Sequence, residues 1–504
     1  MDVHFDFPVL FLFSLFTFLL LNLVMKSRAK PVSKLPPGPW KLPFIGNIHQ
    51  LVGSLPHHVL TDLAKKYGPL MMLQVGEVPT LVVSSPEMAK EIMKTHDVEF
   101  AFRPQIIATE IMSYNSTNII FAPYGEYWRN LRKICTFELL STRRVQSFRY
   151  LREEETANLI RWVARNAGSP INLTEKFFSS MYTITSRAAF GKKSPEQEAF
   201  ISIVEEGIRM SAVFNIADIY PSIKFLHLIS GVKSKLQIFH HKADSILETI
   251  ISEHREQQAA KIDEPEATAD LVDVLLKYHD GEKLDFSLTS DNIKAVLLDI
   301  FGAGSETAAT TVDWAMVEMI RNPGIMNRAQ EEVREVFISS KGYVDEDGLE
   351  KLKYLKVIVK ETLRLHPPAP LLLPRQNIEK TEVNGYEIPA KTRVLVNAWA
   401  INRDPLYWKD PESFQPERFL DSTIDYKGKH FEYIPFGAGR RICPGMQYGI
   451  ANVELPLAKL LYHFDWILPM KLEELSMEEV SGIAVRRKDD LCLIPVIINP
   501  LPVE

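Results

Sequence analysis

The sequence predicts a mainly α fold, α+β overall, with one large helical domain, a long central helix and a smaller β-rich part. Three observations predict it. Helical patterns start at Pro86 and dominate to about residue 366. One apolar segment of roughly 30 residues runs from Ser290-Asp291 to Asn322-Pro323-Gly324, between capping and helix-breaking residues. Strand-like runs lie near each end of the body. Leu70–Val75 pairs with Thr80–Val83, and Thr381–Val396 contains Asn384-Gly385, a strong hairpin turn.

The N-terminus comes first in the chain and has its own physics. Phe7 to Met25 carries no charge, and roughly 19 residues at about 1.5 Å each span close to a bilayer core. Lys26, Arg28, Lys30 and Lys34 follow it, which orients the body toward the cytosol. A cleaved signal peptide is the weaker reading, because no Lys or Arg precedes the apolar run. Residues 1–25 are therefore expected to be a single-pass anchor, and residues 26–40 a basic stop and Pro-rich hinge. Leu35-Pro-Pro-Gly-Pro-Trp40 in that hinge is either a stiff spacer or a plain linker. Residues 41–504 form the body, in which Gln257–Asp270 reads as an exposed polar loop.

Composition narrows the function. The 504 residues are 46% hydrophobic with a net charge of −6, so no domain-sized basic excess invites nucleic acid. Three cysteines, Cys135, Cys443 and Cys492, are too few and too odd for a disulfide framework, which suits a reducing compartment. The triplets Asn115-Ser-Thr and Asn172-Leu-Thr would stay unmodified there.

Two segments carry chemistry. The central helix should be buried, since its apolar positions run nearly all around it. Yet its middle reads Phe301-Gly-Ala-Gly-Ser-Glu-Thr307, and glycines, an acid and hydroxyls are costly there. Such a conflict marks a functional position. Near the C-terminus, Phe436-Gly-Ala-Gly-Arg-Arg-Ile-Cys-Pro-Gly445 has the glycines for a tight loop against a flat ligand. Phe436 is placed to shield one side and Arg441 to meet an anion. A helical pattern from about Met446 puts Cys443 before a helix N-terminus, where N–H groups and the dipole favour a thiolate.

The string Phe436–Gly445 resembles the haem-binding loop of the cytochrome P-450 monooxygenases at every fixed position. Further motifs are similar in the family's order: Trp128 with Arg132, Ala303-Gly-Ser-Glu-Thr307, Glu361-Thr-Leu-Arg364, and Pro416-Glu-Arg-Phe419. The resemblance runs from the Pro-Pro-Gly-Pro segment to the Cys loop and implies the P-450 fold for residues 41–504. It implies haem b, with Cys443 as the axial thiolate on iron and as the metal ligand. Trp128, Arg132, Arg375 and Arg441 become partners of the haem propionates, and Phe436 a haem contact. Glu361, Arg364 and Arg418 become a structural ion-pair network. The resemblance makes Thr307 a hydrogen-bond partner of O2, Glu306 a source of protons for O–O cleavage, and Gly304 the opening beside the iron. Thr307 has a plain alternative, back-bonding to a helix carbonyl. Ala308 stands where the family often has a second hydroxyl residue.

Gly302-x-Gly304 sits inside a helix and is no dinucleotide fingerprint, so no nicotinamide or flavin domain is assigned. The resemblance instead implies a separate NADPH–cytochrome P-450 reductase, docking near Arg440 and Lys133. It also implies an endoplasmic reticulum membrane location with the catalytic domain facing the cytosol. The hinge, the Cys loop and the closing helix Ala451–Trp466 look like the plant branch that oxidises terpenoids and alkaloids. Hydroxylation or epoxidation of a lipophilic terpenoid such as a sesquiterpene is therefore expected. An indole alkaloid or flavonoid substrate is the alternative, as is a reductase-independent haem-thiolate isomerase or dehydratase. A haem-binding scaffold without turnover is a third class. Substrate contacts are expected from Ile106–Phe121, Val296–Ala303, Ala369–Leu373 and Ser481–Val485, with Ile300, Phe301, Ala303, Ala369, Leu371 and Ile483 as candidates. Any of these is equally placed to be ordinary core. Asn215–Leu228 reads as a surface dipping into the membrane or as a packed inter-helix loop.

Overall fold

The computed structural model describes residues 14, 17, 34–192, 197–212, 215–226, 231–260, 269–280, 288–338, 344–480, 482 and 484–501. The expected anchor at 1–25 lies outside the described residues apart from Ser14 and Thr17. Among the described residues no helix is long and apolar enough to cross a membrane.

The proline segment is docked rather than hanging free. The carbonyl of Pro37 accepts from Met72 N at 2.8 Å, and that of Lys34 from Glu387 N at 2.8 Å. A Cβ on Gly38 would lie 2.0 Å from the Met72 carbonyl oxygen, so only glycine permits this approach. Helix α1 (Pro56–Tyr67) follows, with proline at its start. Strands β1 (Leu70–Val75) and β2 (Val78–Val83) then form a hairpin in which Leu70 faces Val83. The second strand starts two residues before the expected Thr80. Pro79 is tolerated because pairing with the next strand begins only at Thr80.

Strands β3 (Arg375–Gln376) and β6 (Arg393–Val396) complete this sheet in the order β1-β2-β6-β3. Between them, β4 (Thr381–Val383) and β5 (Tyr386–Ile388) turn through Asn384 and Gly385, both at positive φ, as an Asn-Gly hairpin requires. A second sheet joins Ile171–Asn172, β10 (Cys492–Ile497) and β7 (Phe464–Ile467). A small ribbon pairs β8 (Glu479–Val480) with β9 (Arg486–Arg487).

The helical bulk contains α2 (Glu126–Ile134), α3 (Leu173–Phe190), α4 (Gln197–Ala212), α5 (Ser290–Arg321), α6 (Lys353–Leu365) and α7 (Met446–His463). At about 1.5 Å per residue, the 32 residues of α5 cross some ~48 Å. The capping residue is Thr289 rather than Ser290 or Asp291. Its hydroxyl accepts from Asn292 N, and the Asn292 side chain reaches back to Thr289 N, a reciprocal box that neither neighbour forms. At the other end Pro323 opens the next helix, Pro323–Ile338. The expected closing helix stops three residues early. Phe464, Asp465 and Trp466 pair with β10 as strand, because the chain has reached the second sheet.

Helix α5 packs against α3 and α7 and is buried nearly all round. Ala303, Gly304, Glu306 and Thr307 are the exceptions near its middle, and they face a cavity. Of the expected polar loop Gln257–Asp270, residues 261–268 lie outside the described residues. The helix before it, Val232–Ala260, runs further than the polarity suggested.

Candidate active site

The loop bearing Cys443 is built from backbone bonds. Cys443 N donates to the Phe436 carbonyl at 3.0 Å, closing the loop, and Ile442 N donates to Gly439 O at 3.0 Å. Gly439 has φ +70°, and a Cβ there would meet the Met93 carbonyl oxygen at 2.0 Å. The loop is thus pressed onto the short helix Glu91–Thr95, a contact that no larger residue allows. Helix α7 begins directly after Gly445.

Cys443 lines a cavity of about 380 Å³. The same cavity takes Gly304, Glu306 and Thr307 from α5. Burial pushes the Cys443 thiol up from its ordinary range. The Gly445 N–H and the Arg132 guanidinium pull the other way, so both favour the anion. In the protein alone the cost of burying the charge is the larger effect.

Four arginines, Arg103, Arg132, Arg375 and Arg441, line this cavity. Their donors go to backbone carbonyls. Arg441 reaches Ala101 O at 2.8 Å, Arg375 reaches Ala438 O at 2.8 Å, Arg132 reaches Ile442 O at 2.5 Å and Arg103 reaches Pro374 O at 2.7 Å. Among the described residues, Arg375 alone of the four reaches a carboxylate, Asp97 at 3.4 Å. Burial lowers the proton affinity of Arg103, and the charges of Arg441, Arg375 and Arg132 lower it further. Arg441 is pushed down to about 9, first by burial and then by Arg375 and Arg132. A buried cluster of like charges is costly unless anions enter it. Trp128 stands behind the cluster rather than in the cavity wall. Its indole donates to Ile119 O at 2.9 Å, and Arg441 lies over its ring at 4.2 Å.

Glu306 is pushed up to about 7 by burial, with Arg486 lowering and Glu205 raising it. The Thr307 hydroxyl donates to the Ala303 carbonyl at 2.7 Å, the plain alternative named above, and its lone pairs remain available toward the cavity. Gly304 does not simply open space. A Cβ there would lie 3.3 Å from the Tyr448 ring, so the glycine admits α7's tyrosine.

Of the substrate candidates, Ile300, Ala303 and Ala369 line the cavity, and Phe436 forms part of its wall. Phe301 does not. It is fully buried against Phe200 (4.8 Å between ring centroids), Tyr182 and Phe190, off the cavity face of α5. Leu371 also points away and packs with Leu60, Met71 and Leu73, while Leu372 and Leu373 reach the cavity. Leu372 has φ +49°, so the chain reverses inside this apolar tract. Ile483 lies outside the described residues, and Ala484 lines the wall.

Three further contributions come from outside the individually named candidates, although Asp299 lies within the expected Val296–Ala303 stretch. Arg103 carries no motif that separates it from the chain's 58 lysines and arginines. Val204, Gly207 and Ile208 on α4 show the i, i+3, i+4 spacing of a helix face, which was a readable signal. Asp299 is the third. It accepts from Asn118 Nδ2 at 2.6 Å and from Ile120 N at 3.0 Å, and burial pushes its carboxyl up to about 7. The strap it fixes presents the Ile119 carbonyl to Trp128 and the Ile120 carbonyl to Arg103 (3.1 Å). Asp299→Asn can accept only one of the two bonds, at a cost of about 1–3 kcal/mol. Reduced cofactor retention with an intact far-ultraviolet spectrum is expected. Retention equal to the parent would remove Asp299 from this role.

The sulfur facing the cavity, the anion-seeking arginines and the hydroxyl–acid pair on α5 coincide with a family-level match. Residues 36–493 match the family model described as Cytochrome P450. The chain is a cytochrome P450. It is 51% identical over 494 residues to premnaspirodiene oxygenase of Hyoscyamus muticus, covering 97% of this chain and 98% of that protein. Salviol synthase of Salvia pomifera is 51% identical (97% of each chain), and desmethyl-deoxy-podophyllotoxin synthase of Sinopodophyllum hexandrum 54% (97% of each). Among solved structures, a zebra fish cytochrome P450 with abiraterone superposes with a TM-score of 0.75 at 25% identity. That match covers 88% of this chain and 99% of the other. As a cytochrome P450 the protein is an oxidoreductase of the monooxygenase kind with a haem-thiolate iron, a redox partner and a lipophilic substrate. The residues fit that group. Cys443 would hold the iron, and Arg103, Arg132, Arg375 and Arg441 would meet the propionates.

Proposed function

We propose that this cytochrome P450 inserts one oxygen atom from O2 into a lipophilic plant terpenoid of sesquiterpene size, by hydroxylation or epoxidation. Electrons come from NADPH through a separate NADPH–cytochrome P-450 reductase at the endoplasmic reticulum membrane. The observation that carries this reading is the lining of the cavity on the α5 side. Ile120, Val204, Ile208, Ile300, Ala369 and Leu373 offer an apolar envelope with few polar anchors, the surroundings a hydrocarbon skeleton needs. Relatives named for premnaspirodiene oxygenation and salviol synthesis support the terpenoid class. Relatives of nearly equal identity carry different product names, so identity alone does not choose the substrate.

The haem-thiolate iron supplies O2 activation when bound, and thiolate ligation favours O–O cleavage. The chain's residues do the rest. Apolar walls hold the substrate and exclude water. Thr307 offers a hydroxyl, and Glu306, poised near neutrality, exchanges protons with it through the cavity. Lys133 is exposed for an acidic partner, whereas Arg440 is half-exposed and already 3.6 Å from Asp97. A membrane surface is supported by Trp40, Phe44 and Phe225, which expose large apolar side chains. Tyr220 OH meets Phe44 O at 3.4 Å, linking residues 40–45 to the segment bearing Phe225.

The test is conversion of plant terpenes by reductase-supplemented membranes under labelled O2, with label expected in the product. Product formed without O2 and NADPH would replace this reading by an isomerase or dehydratase. Positioned proton carriers contribute about 10²–10⁴-fold. Thr307→Ala should therefore keep NADPH consumption while product per NADPH falls about tenfold or more. Glu306→Gln should erase any coupling transition near pH 7. Unchanged coupling in Thr307→Ala would end the relay.

A further inference from the structure

Outside the cavity wall, the start of α1 meets the β8–β9 ribbon through three side chains that the oxygenation chemistry does not use. His57 Nε2 lies 2.8 Å from Glu479 Oε2, and His58 Nε2 lies 3.5 Å from the same oxygen. One donor atom from each residue falls within 4.8 Å of the others. Consecutive helix residues point about 100° apart, so two adjacent histidines do not ordinarily serve one partner. Here both rings turn onto Glu479 and meet each other edge to face, with centroids 4.3 Å apart. The Trp399 ring backs both, at 5.6 Å from His57 and 4.6 Å from His58. Asn397 Nδ2 anchors the helix start by donating to the His57 carbonyl at 2.9 Å. His57 is buried while His58 is 38% exposed, so the cluster is walled on the protein side and open to solvent on one side.

We propose that His57, His58 and Glu479 form a site for one divalent transition-metal ion of the zinc class. Two imidazoles and a carboxylate are a borderline donor set, selective for such ions over calcium or magnesium. Donors at about 2.0–2.1 Å around a tetrahedral ion lie roughly 3.4 Å apart. Small movements of the three side chains reach that spacing, and water takes the fourth position on the open side. The rival group His254, Asp270 and Asp273 is already committed. His254 bonds Ile250 O and Asp270, and Asp270 caps the helix start at Asp273.

The ion would tie α1 to β8, whose partner strand β9 follows Ala484 and Val485. Ala484 lines the substrate cavity, and Val485 N donates to Pro368 O at 2.8 Å. Occupancy would thus stiffen one wall of the cavity without touching the chemistry.

The experiment titrates ZnCl2 calorimetrically into the untagged, haem-loaded full chain after chelator treatment, with CaCl2 and MgCl2 as controls. One zinc per chain is expected, with a raised melting temperature and no response to calcium or magnesium. His58→Asn, at a part-exposed position, and Glu479→Gln should each weaken zinc binding at least about tenfold while the carbon monoxide spectrum stays unchanged. Absence of binding, equal response to calcium, or zinc binding that survives both substitutions would overturn the site.

Discussion

Glu361→Gln is expected to leave most of the chain unable to retain haem at physiological temperature, although Glu361 itself does not line the cavity. Glu361 and Arg364 are both fully buried, and two bonds of 2.8 Å join the guanidinium to the two carboxylate oxygens. Oε1 also accepts from Arg418 Nε at 3.0 Å and from Gln415 N at 2.8 Å. Arg364 continues to the carbonyls of Asn402 (2.8 Å), Pro411 (2.7 Å) and Ser413 (3.1 Å). The network therefore pins residues 402–418 to α6. That segment carries Trp408 and leads directly into Phe419, and both rings pack with Tyr433 just before the Cys443 loop.

A glutamine cannot neutralise two guanidinium groups. Removing one member of a buried pair costs about 3–5 kcal/mol, against a total stability of about 5–15 kcal/mol. Arg418→Gln should cost less, because Arg418 is part-exposed and the Glu361–Arg364 pair survives it. Thermal melting with hydrogen exchange over residues 402–443 checks the order. A Glu361→Gln chain that melts within a degree of the parent would show that the network carries little of the loop's stability.

The fold and the site differ in how much of each could be read from the sequence. The Cys443 loop and the ends of α5 are written in local chemistry, in glycines, caps and a proline whose effects act within a few residues. Phe301 lies off the cavity face, and the helix period in the sequence already separates it. Ile300, Ala303, Gly304 and Thr307 follow one helix face at i, i+3, i+4 and i+7, and Phe301 stands about 100° from it. Leu371 was not legible in the same way. An all-apolar tract has no period to read, and only the reversal at Leu372 separates its two sides. Arg103 and Asp299 lie furthest from sequence reasoning. Their meaning comes from partners more than a hundred residues away, Leu373 and Pro374 for Arg103 and Asn118 for Asp299.

Cys443→Ser is expected to abolish the red-shifted Soret band of the reduced carbon monoxide complex, together with all oxygenation. The assignment needs this test because two cysteines line the cavity, Cys443 and Cys135. Physical surroundings separate them. Cys135 is fully buried, and its thiol is pushed up to about 12 by burial, with the Asp299 charge adding to the rise. Arg132 favours the anion at both sulfurs, but Cys443 also has the Gly445 N–H, and it leads directly into the N-terminus of α7. A serine hydroxyl in its place is a harder and far less acidic donor, so the soft thiolate that favours O–O cleavage is lost. The loop itself should persist, because its closing bond from residue 443 to Phe436 O belongs to the backbone. Cys135→Ser should keep the band, since that sulfur is not the ligand. A band that survives in Cys443→Ser and vanishes in Cys135→Ser would move the ligand from α7's threshold to the end of α2.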